Sequence, residues 1–175
     1  MKNLLLIIIV FVTSLSYCQT AEEYFKRGVS KFNLKDYQGA IEDITKAIEI
    51  NPKDSDAFNY RGLAFNYIGF ETGEIKNFDN AFEDYSKAIE LDSKNASAYH
   101  NRGLFKYYSE DAKGAIDDLT EASKLDPKDN TNYFTLGLAK LKLNQKESAC
   151  LDFNKAKELG NEEAIEMIKK NCNKK

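Results

Sequence analysis

Residues 21–54, 55–95, 96–129 and 130–160 are four versions of one segment, and the first and third are each 34 residues long. No other feature limits the fold as strongly. A unit of this size cannot bury its own apolar face, so neighbouring units must stack to make a continuous core. In every unit an aromatic at the fourth position precedes Gly at the eighth: Tyr24 and Gly28, Phe58 and Gly62, Tyr99 and Gly103, Tyr133 and Gly137. With one insertion set aside, Ala recurs at the twentieth position (Ala40, Ala81, Ala115, Ala149) and the twenty-seventh (Ala47, Ala88, Ala122, Ala156). Between them stands a large side chain: Ile44, Tyr85, Leu119 or Phe153. Each unit therefore reads as two amphipathic helices, A and B, with small residues where the axes approach and bulky ones beside them. Pro52 and Pro127 stop the B helices of the first and third units.

A charge pattern follows the same register. Arg27, Arg61 and Arg102 hold the seventh position; Asp43, Asp84, Asp118 and Asp152 hold the twenty-third. Arg on helix A and Asp on helix B would face each other across the hairpin, which predicts three charge-assisted pairs. The fourth unit carries Leu136 instead, leaving Asp152 without an arginine. The second unit has seven extra residues within Phe70–Lys76. They fall at the A–B turn, as a projecting loop with Phe70 and Ile75 available for binding or as an extension of helix A.

This pattern resembles the tetratricopeptide repeat over about 140 residues. Its departures are the lack of Trp at the fourth position and Arg where Leu is usual at the seventh. The resemblance implies an all-α, right-handed solenoid of four hairpins closed by a capping helix. It also implies a concave surface, lined by the A helices, on which a protein or peptide partner lies. By position that groove would hold Phe25, Val29 and Phe32; Asn59, Tyr60, Leu63 and Asn66; His100, Asn101, Leu104, Tyr107 and Tyr108; and Phe134, Thr135, Leu138 and Leu141. Each is either packed between A helices or turned to a partner. Some relatives clamp chaperone C-termini with Lys, Asn and Arg; Phe25 and Val29 stand where the Lys and Asn would be needed.

The two ends add separate expectations. Lys2 and the nine apolar residues Leu4–Val12 are too short for a permanent span but suit a secretory signal over residues 1–18, leaving 19–175 as the repeat domain. A buried core helix is the competing reading, against which the run offers no polar face. Export places the chain in the periplasm or medium. Leu15, Ser16 and Cys18 are similar to a lipoprotein processing site, but Tyr17 is not, so cleavage near Cys18–Gln19 competes with a lipid anchor at Cys18. At the other end, residues 162–172 read as the cap helix, with Ala164, Ile165 and Ile168 on one side and Met167 beside them. Cys150 and Cys172 lie at similar distances either side of the turn at Gly160, nearly level on antiparallel helices, which in an oxidising compartment predicts a disulfide. Two separate buried thiols are the alternative.

Chemistry is thin. His100 is the single histidine, without a nucleophile or acid in a recognisable motif around it. No zinc-ligand spacing or phosphate-cradling loop occurs, so no cofactor or metal is expected. Net charge is −3 with 25 basic and 28 acidic residues interspersed, which offers nucleic acid no basic stripe. The expectation is a non-catalytic interaction scaffold of the bacterial envelope. An accessory or sensor subunit binding peptidoglycan or another glycan, or a lipid-anchored assembly factor, is the alternative.

Overall fold

A computed structural model describes residues 19–172. The signal-peptide reading and the question of lipidation at Cys18 lie outside the described residues. Nine helices are described: α1 Ala21–Asn33, α2 Tyr37–Ile50, α3 Ser55–Thr72, α4 Ile75–Leu91, α5 Ala96–Tyr108, α6 Ala112–Leu125, α7 Asn130–Lys142, α8 Lys146–Glu158 and α9 Glu163–Asn171. The described part is an α-solenoid of four hairpins followed by one helix.

Local sequence sets the helix ends. Thr20 and Glu23 form a reciprocal capping box on α1. Asp54, Asn95 and Asp129 cap α3, α5 and α7 by accepting from backbone N–H groups of the first turn. Asp36 and Asp111 do the same for the B helices α2 and α6. Each A–B turn passes through a left-handed residue: Lys35, Gly73, Glu110 or Asn144, with φ of 64°, 73°, 65° and 59°.

Packing inside each hairpin rests on one small-against-large contact. A Cβ placed on Gly28 would stand 2.5 Å from Ile44, and one on Gly137 would stand 2.6 Å from Phe153. The eighth-position glycine is thus a gap filled by the bulky residue of helix B, which is why the two positions recur together. The alanines at the twentieth and twenty-seventh positions are fully buried or nearly so in all four units. Every helix packs on its chain neighbours, and the A helices of successive units also touch one another. That second layer of contact puts the A helices on the inner side of the array.

The Arg–Asp register forms paired contacts. Arg27 Nε and Nη2 donate to Asp43 at 2.7 and 2.6 Å. Arg61 donates to Asp84 at 2.8 and 2.7 Å, and Arg102 to Asp118 at 2.9 and 2.8 Å. Lys31 and Lys106 add a second cation to Asp43 and Asp118, at 2.8 and 2.7 Å. In the fourth unit Asp152 lacks an arginine but not a cation: Lys140, one turn along α7, places Nζ 2.6 Å from Oδ2. That contact lacks the two-pronged geometry of the others. The Arg27 guanidinium, helped by Lys31, holds the Asp43 carboxyl down at about 2. At Asp84 and Asp152 burial outweighs the single cation and raises the carboxyl.

The seven-residue insertion forms no loop. It lengthens both helices of the second hairpin, so that α3 has 18 residues and α4 has 17, against 13 or 14 in the other hairpins. Phe70 lies in the last turn of α3 and Ile75 opens α4, with Gly73 and Glu74 alone between the helices.

The cap docks through Ala164, Met167, Ile168 and Cys172 on the cluster around Ala149, Phe153 and Ala156. Ile165, expected on that side, is instead exposed. The helix presents positions 164, 167 or 168, and 172 to the array, and Ile165 lies a full 100° round from Ala164. The Cys150 and Cys172 sulfurs lie at disulfide distance, 2.05 Å, with Cα atoms 5.8 Å apart.

Candidate partner-binding groove

The inner face divides into parts that are packed shut and parts that are open. At the first unit the expected groove side chains pack on each other. Phe25 meets the Tyr60 ring edge-on at 5.6 Å, and Phe32 contacts Tyr60 and Tyr67 at 6.1 and 5.5 Å. Phe25, Phe32 and Tyr60 pack against the first core cluster, and Val29 is half-buried. At the fourth unit Phe134, Leu138 and Leu141 pack on the Phe153 cluster, and Thr135 is buried. Thr135 is therefore no open groove residue, whereas Phe134, Leu138 and Leu141 are only partly covered.

Between these ends the A helices of the second and third units enclose two adjoining clefts. The larger, about 780 Å³, is lined by Leu63, Asn66, Asn101, Leu104 and Tyr108 from the expected set. To these the lengthened hairpin adds Phe70, Ile75, Phe78 and Asp79. Phe70 meets Phe78 and Tyr108 edge-on at 5.3 and 6.2 Å. Phe70, Tyr108 and Ile75 remain 61%, 62% and 74% exposed, unusual for apolar side chains standing together. Tyr67, Phe78 and Phe105, which also line this cleft, were not recognisable by repeat position. The signal available was the run of aromatics on either side of the insertion.

The second cleft, about 440 Å³, is polar and is lined by Asp56, Asn59, Tyr60, Ser97, His100 and Asp129, sharing Leu63 and Asn101 with the first. Its floor is a ladder of side-chain amides. Asn101 Nδ2 donates to Oδ1 of Asn59 at 2.9 Å, and the Asn59 side chain is buried. Asn59 is thus floor rather than free donor. His100 Nδ1 lies 2.7 Å from Oδ1 of the fully buried Asn132. Burial pushes the His100 imidazole down, so it is neutral, and the amide oxygen assigns its proton to Nδ1. Nε2 is left as an acceptor. Tyr107, expected in the groove, lines neither cleft: it packs on the cluster of Ala115, Leu119, Leu136 and Ala139, its ring under Lys142 Nζ at 4.3 Å.

Comparison with known proteins bears on this arrangement. Three tetratricopeptide models match residues 21–54, 74–109 and 131–159, together more than half of the chain. This chain is a tetratricopeptide repeat protein. The middle match covers the B helix of one hairpin and the A helix of the next, so the tetratricopeptide pattern persists past the insertion. An uncharacterized protein of Methanocaldococcus jannaschii is 43% identical over 49 residues, a segment spanning 28% of this chain and 57% of that protein.

Solved structures share the tetratricopeptide fold. Pseudomonas aeruginosa pilF superposes with a TM-score of 0.74 at 26% identity, covering 86% of this chain and 68% of that one. MamA from Desulfovibrio magneticus superposes with a TM-score of 0.66 at 24% identity, over 79% and 75%. The first tetratricopeptide domain of Spaghetti (RPAP3), bound to an HSP90 peptide, gives 0.64 at 22%, over 72% and 94%. Tetratricopeptide arrays are protein-interaction modules and typically not enzymes. Among the described residues no helix is long and apolar enough to cross a membrane, and no group of three or more His, Cys, Asp or Glu could hold a metal ion.

Proposed function

We propose that the protein is an exported, non-catalytic scaffold of the bacterial envelope that holds a peptide or protein segment against its inner face. The observation that carries this reading is the pair of adjoining clefts between α3 and α5, where exposed aromatics stand beside amide and carboxylate groups. Aromatic area with nearby hydrogen-bonding groups is the composition of a peptide-binding surface. The solved neighbour that carries a peptide supports the same reading at the level of the fold. Export rests on the sequence of residues 1–18, with periplasmic or secreted protein as the outcome. In that compartment Cys150 and Cys172 close to a disulfide, for which the helix geometry provides the distance.

Photo-crosslinking tests the groove. A benzophenone amino acid at Asn66 or Tyr108 should give discrete partner adducts in intact cells, whereas one at Glu49 or Glu83, exposed on the B helices, should not. Adducts from the B helices alone would place the partner elsewhere and sink the groove. Fractionation of the same cells checks localisation.

A further inference from the structure

The inner face is short of cations. Arg61 is taken by Asp84, Arg102 and Lys106 by Asp118, and Lys140 by Asp152, all inside the hairpins. Lys142, near Tyr107, is held by Glu110 at 2.8 Å. The two clefts between α3 and α5, by contrast, are lined by Asp56, Asp79 and Asp129 and by no Lys or Arg. Among the described residues none of these three carboxylates pairs with a basic side chain. Asp56 Oδ1 accepts from Asn95, and Asp129 Oδ1 caps α7, so each keeps a second oxygen for an incoming group.

Two of the three carboxylates, Asp56 and Asp129, stand together in the polar cleft, while Asp79 stands among the aromatics of the other. Asp56 lies in the first turn of α3 and Asp129 at the start of α7, whereas Phe70 and Tyr108 lie in the last turns of α3 and α5. Phe70 follows Asp56 by 14 residues, which at about 1.5 Å per helical residue is about 21 Å. An extended chain covers that distance in about six residues, at roughly 3.3 Å each.

Resting on the groove reading above, we infer that the partner is a basic-apolar segment. It seats a large apolar side chain against the exposed faces of Phe70, Ile75 and Tyr108, and a Lys or Arg about six residues away against Asp56 and Asp129. Asn101 and the Nε2 acceptor of His100 lie between the two ends, where they meet the backbone of the bound segment. Such a ligand is opposite in sign to the acidic tails that a cationic clamp would hold.

Phage display of random nonapeptides on the mature protein tests both levels. The enriched pool should carry a large apolar residue and a Lys or Arg five to seven positions apart. A synthetic heptapeptide with Phe at one end and Arg at the other should bind at least tenfold tighter than its Glu counterpart, and the difference should shrink at high salt. Asp56→Asn with Asp129→Asn keeps the helix cap and should erase that preference. Phe70→Ala with Tyr108→Ala, both at exposed positions, should weaken every selected peptide. Enrichment of peptides without basic residues, or a preference unchanged by the double Asn variant, would overturn the inference and leave the groove reading standing. No enrichment over the double Ala variant would overturn both. Dimers that dissociate in the double Ala variant would make a second copy the occupant, against this proposal.

Discussion

At the scale of single residues, the Arg–Asp pairs look alike in sequence but differ in what surrounds them. Among the described residues Arg61 is the one cation on Asp84, and both are largely buried. Arg27 is more exposed and shares Asp43 with Lys31. Removing one partner of a buried pair leaves the other charge unsolvated, at a cost of roughly 3 kcal/mol. Arg61→Ala should therefore lower stability by about that much in urea unfolding, with only partial rescue by Lys, because Lys lacks the planar fork. Arg27→Ala should cost clearly less.

The pH response has two opposite parts. Asp43 titrates at about 2 when folded, below an ordinary aspartate. Its contribution to stability is complete above about pH 4 and lost as the pH falls through 2. Asp84 and Asp152 are raised, so protonation favours the fold and their effect is lost as pH rises through their folded values. Asp43→Asn should flatten the acid limb of the stability curve, whereas Asp152→Asn should not. Acid titration followed by circular dichroism separates them. That Lys140 reaches Asp152 could not be read from the seventh position, because the substitute comes from the eleventh, one turn further along the same helix face.

Whole elements were the most legible part of the chain. The pairing of Gly at the eighth position with a bulky residue on helix B fixes each hairpin, and both are visible as letters. Less legible was the fate of the insertion. Phe70–Lys76 contains both apolar and turn-forming residues, and only the Gly73 left-handed cap shows that the turn moved outward by lengthening two helices. Thr135 was not legible either, since it matches groove positions elsewhere yet is buried. Periodicity tells which face of a helix turns inward, not whether a neighbour already covers it. The cap makes the element-scale prediction. A bridge across the 22 residues from Cys150 to Cys172 would contribute about 3 kcal/mol in the chain-entropy model. Intact mass should rise by the mass of two hydrogen atoms on reduction, which adds two electrons and two protons, and Cys172→Ser should lower stability by a similar amount to reduction. Two free thiols in protein purified without reductant would refute the bridge.

For the whole molecule, stability is local. Each helix contacts its chain neighbours, and the A helices also contact the A helix one unit away. Such an array is close to a sum of unit and interface terms, so damage spreads only as far as the next interface. Hydrogen exchange should show this directly. In Cys172→Ser, amides of α8 and α9 should exchange faster while those of α2 and α3 keep their protection. Uniform acceleration along the chain would mean that the four hairpins open as one cooperative block.

Translational symmetry poses a problem for any repetitive surface: a ligand that fits one unit fits the next, shifted by one hairpin. The lengthened second hairpin breaks that degeneracy. Because α3 and α4 run past the ends of their neighbours, their aromatic tips occur once in the described array. A segment anchored there has one register rather than several, and its direction along the groove is set as well. The extra seven residues thus act as an origin mark on an otherwise periodic ruler.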